Sequence, residues 1–196
     1  MQYKSINDIK REITQCITCI GALPFPPKPM VQINTQARLL IIGQAPSLTV
    51  QKTGILWNDA SGRRLTEWLG ITIEQLHDET QVAILPIGFC YPGKNQSGDL
   101  PPRKECAPLW HDTLYSFLGN VELILLVGQH AQQFYLKEHC KKTLTETVQN
   151  WKSYLPKFIP LPHPSPRNNI WLRRNPWFET EVIPLTKELI ANILLK

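Results

Sequence analysis

No apolar run in this chain approaches a membrane span. The longest, such as residues 123–127, are a few residues long, against the ~20 that a spanning helix needs. The opening residues, Met1-Gln2-Tyr3-Lys4-Ser5-Ile6-Asn7-Asp8, are polar and contain no apolar stretch like that of a secretory signal. There is no internal repeat and no low-complexity segment. Cysteines number only 5, an odd count, and 196 residues bury enough surface to hold a core without a disulfide scaffold. These absences lead to the expectation of a soluble, cytoplasmic protein (nucleoid-associated if bacterial), monomeric by default and with no membrane partner. In a reducing compartment the sequon Asn95-Gln96-Ser97 carries no meaning.

What is present is a globular composition, 42% hydrophobic and 9% aromatic. Lys and Arg total 21 against 16 for Asp and Glu, a net charge of +5. That balance permits an anionic partner such as nucleic acid without requiring one. The 17 prolines exceed the usual ~5% of a chain. They cluster at Pro24, Pro26, Pro27 and Pro29, at Pro101 and Pro102, and at Pro160, Pro162, Pro164 and Pro166. Each proline locks φ and removes a donor, so these clusters read as rigid loops around a site, or as linkers.

Four apolar runs without polar alternation predict strands covered on both faces: residues 38–43, 82–87, 123–128 and 157–162. Pro86 should end pairing in the second. Helical spacing predicts helices over 61–69, 103–118, 129–137 and 177–195, the last kinked or split by Pro184. Alternation of this kind predicts a single-domain, three-layer α/β/α fold with a central four-stranded, mainly parallel sheet. Residues 38–196 form its core, and residues 1–37 are an N-terminal segment carrying the first cysteine pair. In such sheets ligands bind beyond the carboxyl ends of the strands. Three strands end there in unusual loops: Gly43-Gln44-Ala45-Pro46-Ser47, Gly88-Phe89-Cys90-Tyr91-Pro92-Gly93 and His163-Pro164-Ser165-Pro166.

Gly-Gln-Ala-Pro-Ser after the first strand and His-Pro-Ser-Pro after the last resemble the two signature loops of the uracil-DNA glycosylase superfamily. The segment Thr53-Gly54-Ile55-Leu56-Trp57-Asn58-Asp59-Ala60-Ser61-Gly62 resembles the stretch bearing that family's base-stacking aromatic. The likeness runs from Cys16 to the last helix. It implies the uracil-DNA glycosylase-like fold and a DNA glycosylase of base excision repair, monofunctional because no lyase lysine is specified. Its partner would be DNA containing a deaminated or damaged base.

The chemistry such an enzyme needs can be matched to residues. A base must leave the duplex and sit in a pocket, where a flat side chain stacks on it. Trp57 is the candidate, although a core tryptophan would show the same spacing. Cleavage of the glycosidic bond puts negative charge on the leaving base, so a donor aimed at its carbonyl stabilises departure. His163, in a proline-rigid loop at a strand end, suits that role as a neutral imidazole. The resemblance further implies that Gln44, Ala45 and Pro46 border the base and that Ser47 and Ser165 grip flanking phosphates. Beyond them, Pro166, Arg167, Arg173 and Arg174 are expected to bind DNA. Interleaved with the arginines, Trp171 and Trp177 suit an unstacking wedge. Arg63 and Arg64 are a further phosphate candidate or a solvated face.

Cys16-x2-Cys19 and Cys90-x15-Cys106 do not match a zinc ribbon, whose pairs are both short. Four thiolates also hold a [4Fe–4S] cluster. The layout resembles the iron–sulphur branches of the superfamily, families four and five, which implies a structural cluster on Cys16, Cys19, Cys90 and Cys106. Zinc and unligated thiols remain alternatives. Cys140 is left over.

Two departures stand out. Ala45 occupies the place of a water-activating Asp in the best-known branch. Asp59, similar to an Asp in the family-five branch but in a stretch one residue shorter, is then the candidate base, or else a helix-capping carboxylate. Pro86 occupies the place of an asparagine that reads the uracil edge, and losing a bidentate reader typically removes ~1–3 kcal/mol of discrimination. The alternative functional expectation is therefore a non-catalytic DNA-binding relative that keeps the fold and cluster. A small-molecule nucleotide hydrolase is a third.

Overall fold

The computed structural model describes residues 3–96 and 98–195; Ser97, and with it the sequon, lies outside them. In chain order the helices are α1 (Ile6–Thr14), α2 (Leu48–Thr53), α3 (Ala60–Leu69), α4 (Ile73–His77), α5 (Cys106–Ser116), α6 (Gln129–Leu136), α7 (Leu144–Gln149), α8 (Asn169–Arg174) and α9 (Ile183–Leu194). The strands are β1 (Leu39–Ile42), β2 (Val82–Ile84), β3 (Lys94–Asn95), β4 (Gly98–Asp99), β5 (Leu123–Val127) and β6 (Phe158–Leu161).

The main sheet has four strands in the order β2-β1-β5-β6, and every neighbour is parallel. Alternate residues divide its faces cleanly. Leu39, Ile41, Val82, Ile84, Leu125 and Ile159 pack on one side with Leu65, Trp68, Phe178 and Ile190. Leu40, Ile42, Ala83, Ile124 and Leu126 pack on the other with Ile9, Ile13, Trp110, Leu114 and Ala131. This is the three-layer α/β/α fold expected, with α1 built into the second layer through fully buried Ile9 and Ile13. The chain leaves β1 toward β2 and later returns past it to β5. The order therefore reverses at β1, where ligands of such sheets bind.

All four predicted strands are present. β2 stops at Ile84, and from Leu85 the chain swings beside the first loop, where the Ile87 and Gly88 amides donate to the Gly43 and Gln44 carbonyls. The predicted helix over 103–118 begins only at Cys106 and ends at Ser116. Pro184 does not split the last helix. It stands in the first turn of α9, where a missing N–H costs nothing, and a five-residue π turn, Phe178–Val182, precedes it. The hairpin β3–β4 and the helices α1, α2, α4, α7 and α8 had no prediction. All but α1 are too short for periodicity to show.

A buried imidazole braces the exit of β2. His111 on α5 is 1% exposed, with Nε2 3.0 Å from the Pro86 carbonyl and Nδ1 2.8 Å from the Tyr135 hydroxyl. A neutral ring satisfies both, Nε2–H donating and Nδ1 accepting. Burial lowers its pKa from the ordinary 6.5 of histidine to about 4. Below pH 6.5 the unfolded chain binds a proton that the native chain refuses. Stability should therefore be full above that pH and fall as pH drops toward 4, by up to about 3 kcal/mol at 1.36 kcal/mol per unit. Urea melts from pH 7 to 4 should show this slope, and His111→Gln should flatten it.

Candidate active site

At the carboxyl ends of β1, β2 and β6 lies a cavity of about 380 Å³. Gln44, Ala45, Pro46, Ser47, Trp57, Asp59, His163, Ser165 and Arg167 all line it. Of the residues expected at the site, Pro166, Arg173 and Arg174 are not on its wall and are exposed on the following turn and α8. Pro86, Pro92, Asp99, Leu100 and Asn168 are also on the wall. Among these Asp99 was not anticipated. It sits in a hairpin of two two-residue strands whose only sequence signal is a glycine.

Trp57 is held by three unusual contacts. Its backbone is left-handed at φ 58°, a conformation that costs a non-glycine residue of order 1 kcal/mol and persists only where neighbours enforce it. His77 Nε2 lies 2.7 Å from the carbonyl of Leu56, fixing the residue before it. Gly62, in the first turn of α3, lies so close that a Cβ there would stand 1.7 Å from the Trp57 carbonyl oxygen. On the other side a Cβ at Gly43 would be 3.0 Å from indole Cζ2. The ring therefore rests on the first loop, partly buried, with its centroid 5.6 Å from that of His163 at an interplanar angle of 32°.

His163 follows β6 in a loop pinned at several points. Asn168 Nδ2 donates to its carbonyl at 2.7 Å, and Arg64 Nη1 donates to the Ser165 carbonyl at 3.1 Å. Ser165 caps the turn over Pro166–Asn168. Arg64 thus holds the loop, while Arg63 is exposed. Desolvation lowers the His163 pKa, only partly opposed by the charge of Asp59, so the ring is neutral at neutral pH. No acceptor among the described residues takes the amide N–H of Gln44 or Ala45, and both residues border the cavity.

Asp59 serves as the N-cap of α3. Its Oδ1 accepts the Ser61 and Gly62 amides at 3.0 and 3.1 Å, and Oδ2 accepts the Ser47 hydroxyl at 2.8 Å. Ser47 is itself the N-cap of α2. The tryptophan wedge is overturned. Trp171 and Trp177 pack edge-on around buried Phe178, and Trp171 Nε1 donates to Thr145 Oγ1 at 2.8 Å. Helical periodicity through α8 turns Trp171 inward and leaves Ile170, 58% exposed, as the projecting apolar side chain.

Cys16, Cys19, Cys90 and Cys106 surround a second, small cavity with Pro27, Pro29, Phe89, Arg103 and Trp110. Burial pushes the Cys90 and Cys106 thiols up to about 11 and about 12. Two buried donors on this wall, Arg103 Nε and Trp110 Nε1, have no hydrogen-bond partner among the described residues, and the Phe89 amide donates to Cys106 Sγ at 3.3 Å. The open space is about 20 Å³, so a cluster would have to part the side chains. No group of three or more His, Cys, Asp or Glu side chains among the described residues forms a ready metal-ion site. Cys140 lies elsewhere, 3.6 Å from Thr147 Oγ1.

Gly62→Ala should drive α3 from the Trp57 carbonyl. A loss of about 3 kcal/mol or more, at or beyond the upper end of overpacking costs, is expected in denaturant melts, together with a changed tryptophan emission spectrum.

Residues 30–187 match the family model described as Uracil DNA glycosylase superfamily. The chain also resembles the solution NMR structure of a candidate uracil DNA glycosylase from Methanosarcina acetivorans. Identity is 15%, the TM-score is 0.47, and the match covers 86% of this chain and 98% of the other.

Proposed function

Because the chain belongs to the uracil DNA glycosylase superfamily, we propose that it is a monofunctional DNA glycosylase releasing a deaminated or damaged base from DNA. The observation carrying this reading is the meeting of Trp57 and His163 on one cavity wall, ring centroids 5.6 Å apart. An extruded base lies on the indole face, and the imidazole N–H donates to a base carbonyl. The C1′–N bond breaks with its electron pair going to the base, where His163 and the unpaired Gln44 and Ala45 amides meet the developing charge. A neutral donor suits this task, and burial of His163 keeps it neutral. The Asp59 carboxylate, fixed by three donors, faces the cationic sugar.

DNA is held around this centre. Ser165 and Arg167 stand at the cavity for phosphates, and Arg173 and Arg174 extend the basic surface beyond it. Ile170 supplies the apolar wedge that the tryptophans do not. Pro86 offers no side-chain amide at its own place on the wall, and its carbonyl is engaged by His111. Without that reader the pocket selects a wider class than uracil alone. The same feature favours the second reading, a DNA-binding relative without catalysis.

The four thiols fit an iron–sulphur cluster in donor chemistry. Cys16, Cys19, Cys90 and Cys106 would hold it, and the orphaned Arg103 and Trp110 donors would find acceptors in its sulphur atoms. Bound, it would supply a covalent tie between the segment before β1 and the loop after β2. Hydrolysis transfers no electrons, so no redox role is required of it.

Oligonucleotides carrying uracil, hypoxanthine, xanthine or an oxidised pyrimidine, single- and double-stranded, test the reading. Alkali-labile sites should form, and His163→Ala should slow their formation about 100-fold or more. DNA binding without cleavage on any of these would favour the binding module. Ile170→Ala should weaken activity on duplex more than on single strands. Anaerobically purified protein should be brown, with iron and sulphide each about four per chain. A colourless, iron-free preparation would overturn the cluster.

A further inference from the structure

The cavity contains a second carboxylate, on the hairpin β3–β4. Lys94 pairs with Asp99 and Asn95 with Gly98, and Asp99 stands on the cavity wall with Asp59 and His163. The hairpin is pressed against the His163 loop. Gly98 has φ +125°, and a Cβ there would lie 1.6 Å from Arg167 Nη1. The arginine tip could move for a side chain, but the positive φ favours glycine there, and the hairpin so turned sets Asp99 on the cavity wall.

The two carboxylates differ in what they are free to do. Asp59 is bound by the Ser61 and Gly62 amides and the Ser47 hydroxyl. Asp99 receives no side-chain hydrogen bond from any described residue. It is exposed at the cavity mouth, where the sugar of an extruded nucleotide would pass. The charged groups facing it are Arg167, Asp59 and Lys94.

We propose that Asp99 is the catalytic base of this glycosylase, orienting water on the sugar C1′ and taking its proton, while Asp59 remains a fixed anion and cap. The proposal rests on the glycosylase reading above. As the C1′–N bond breaks, its electron pair leaves with the base. The water oxygen bonds to C1′, one water proton passes to Asp99 and then to solvent, and the base anion takes a proton from solvent. Partial desolvation raises the Asp99 pKa, with Asp59 adding to the rise and Arg167 and Lys94 opposing it. DNA across the mouth would remove more water. A base whose pKa is nearer the working pH accepts a proton more readily. The assignment also accounts for Ala45: the first loop needs no acid when the hairpin brings one.

Asp99→Asn, Asp99→Ala and Asp59→Asn test this in single-turnover assays. The probes are single-stranded oligonucleotides with one deoxyuridine, deoxyinosine or deoxyxanthosine. Asp99→Asn should lose about 100-fold or more in rate and keep its thermal midpoint. Its affinity for an oligonucleotide with a tetrahydrofuran abasic site should stay within about threefold of the native value, since the carboxylate acts in the chemical step. Added formate should restore part of the Asp99→Ala rate, and the acid limb of the native pH–rate profile should vanish in Asp99→Asn. Asp99→Asn within about threefold of the native rate, or a rate loss matched by lost DNA affinity, would overturn the proposal. A native protein that releases none of these three bases, nor an oxidised pyrimidine, from single- or double-stranded DNA would overturn the glycosylase reading itself, and this assignment with it.

Discussion

The approach of α3 to the loop ahead of it sets the geometry of the cavity. Gly62 lies against the Trp57 carbonyl at a distance no side chain tolerates, which forces that residue into the left-handed region. The turn throws the indole back over Gly43 and toward His163. Asp59 caps the same helix by bonding its first amides and ties it to Ser47 of the first loop. One helix N-terminus thereby positions the indole, a carboxylate and the cap of α2. The local strain is offset by these contacts, a pattern common where a side chain must be presented rather than packed.

The site is assembled from segments distant in sequence, and its electrostatics depend on that assembly. His163 arrives from β6, the Gln44 and Ala45 amides from β1, and the two carboxylates from α3 and the hairpin after β2. Burial disfavours charge on the imidazole, while both carboxylates line the same cavity. The resulting division, neutral donor within and anions near the sugar, matches the separation of charge when a glycosidic bond opens. Arg167 joins the two sides, belonging to the histidine loop and resting on the hairpin.

The limits of sequence reading show in particular residues. Trp171 and Trp177, spaced among arginines, looked like a DNA surface. Packing around Phe178 consumed both, and the exposed position fell to Ile170, which composition does not distinguish from a core residue. Asp99 carried no signal because a two-residue strand has no period. Asp59 was legible as a cap or a base, and its hydrogen bonds establish the cap. The cysteine spacing suggested a shared ligand, and the fold brings all four thiols to one cavity with two orphaned donors on its wall.

By itself the sequence determined the layers and the rim. Runs such as 39–42 and 123–127 are apolar at every position, so they can only be strands buried on both faces. The loops that end them carry glycine and proline where the backbone must turn sharply. Tertiary structure alone decided which residues meet at that rim. Strand order, the contact of Gly62 with Trp57 and the seat of Gly98 under Arg167 are long-range contacts. They are set by packing between segments that the local periodicity of a chain does not encode.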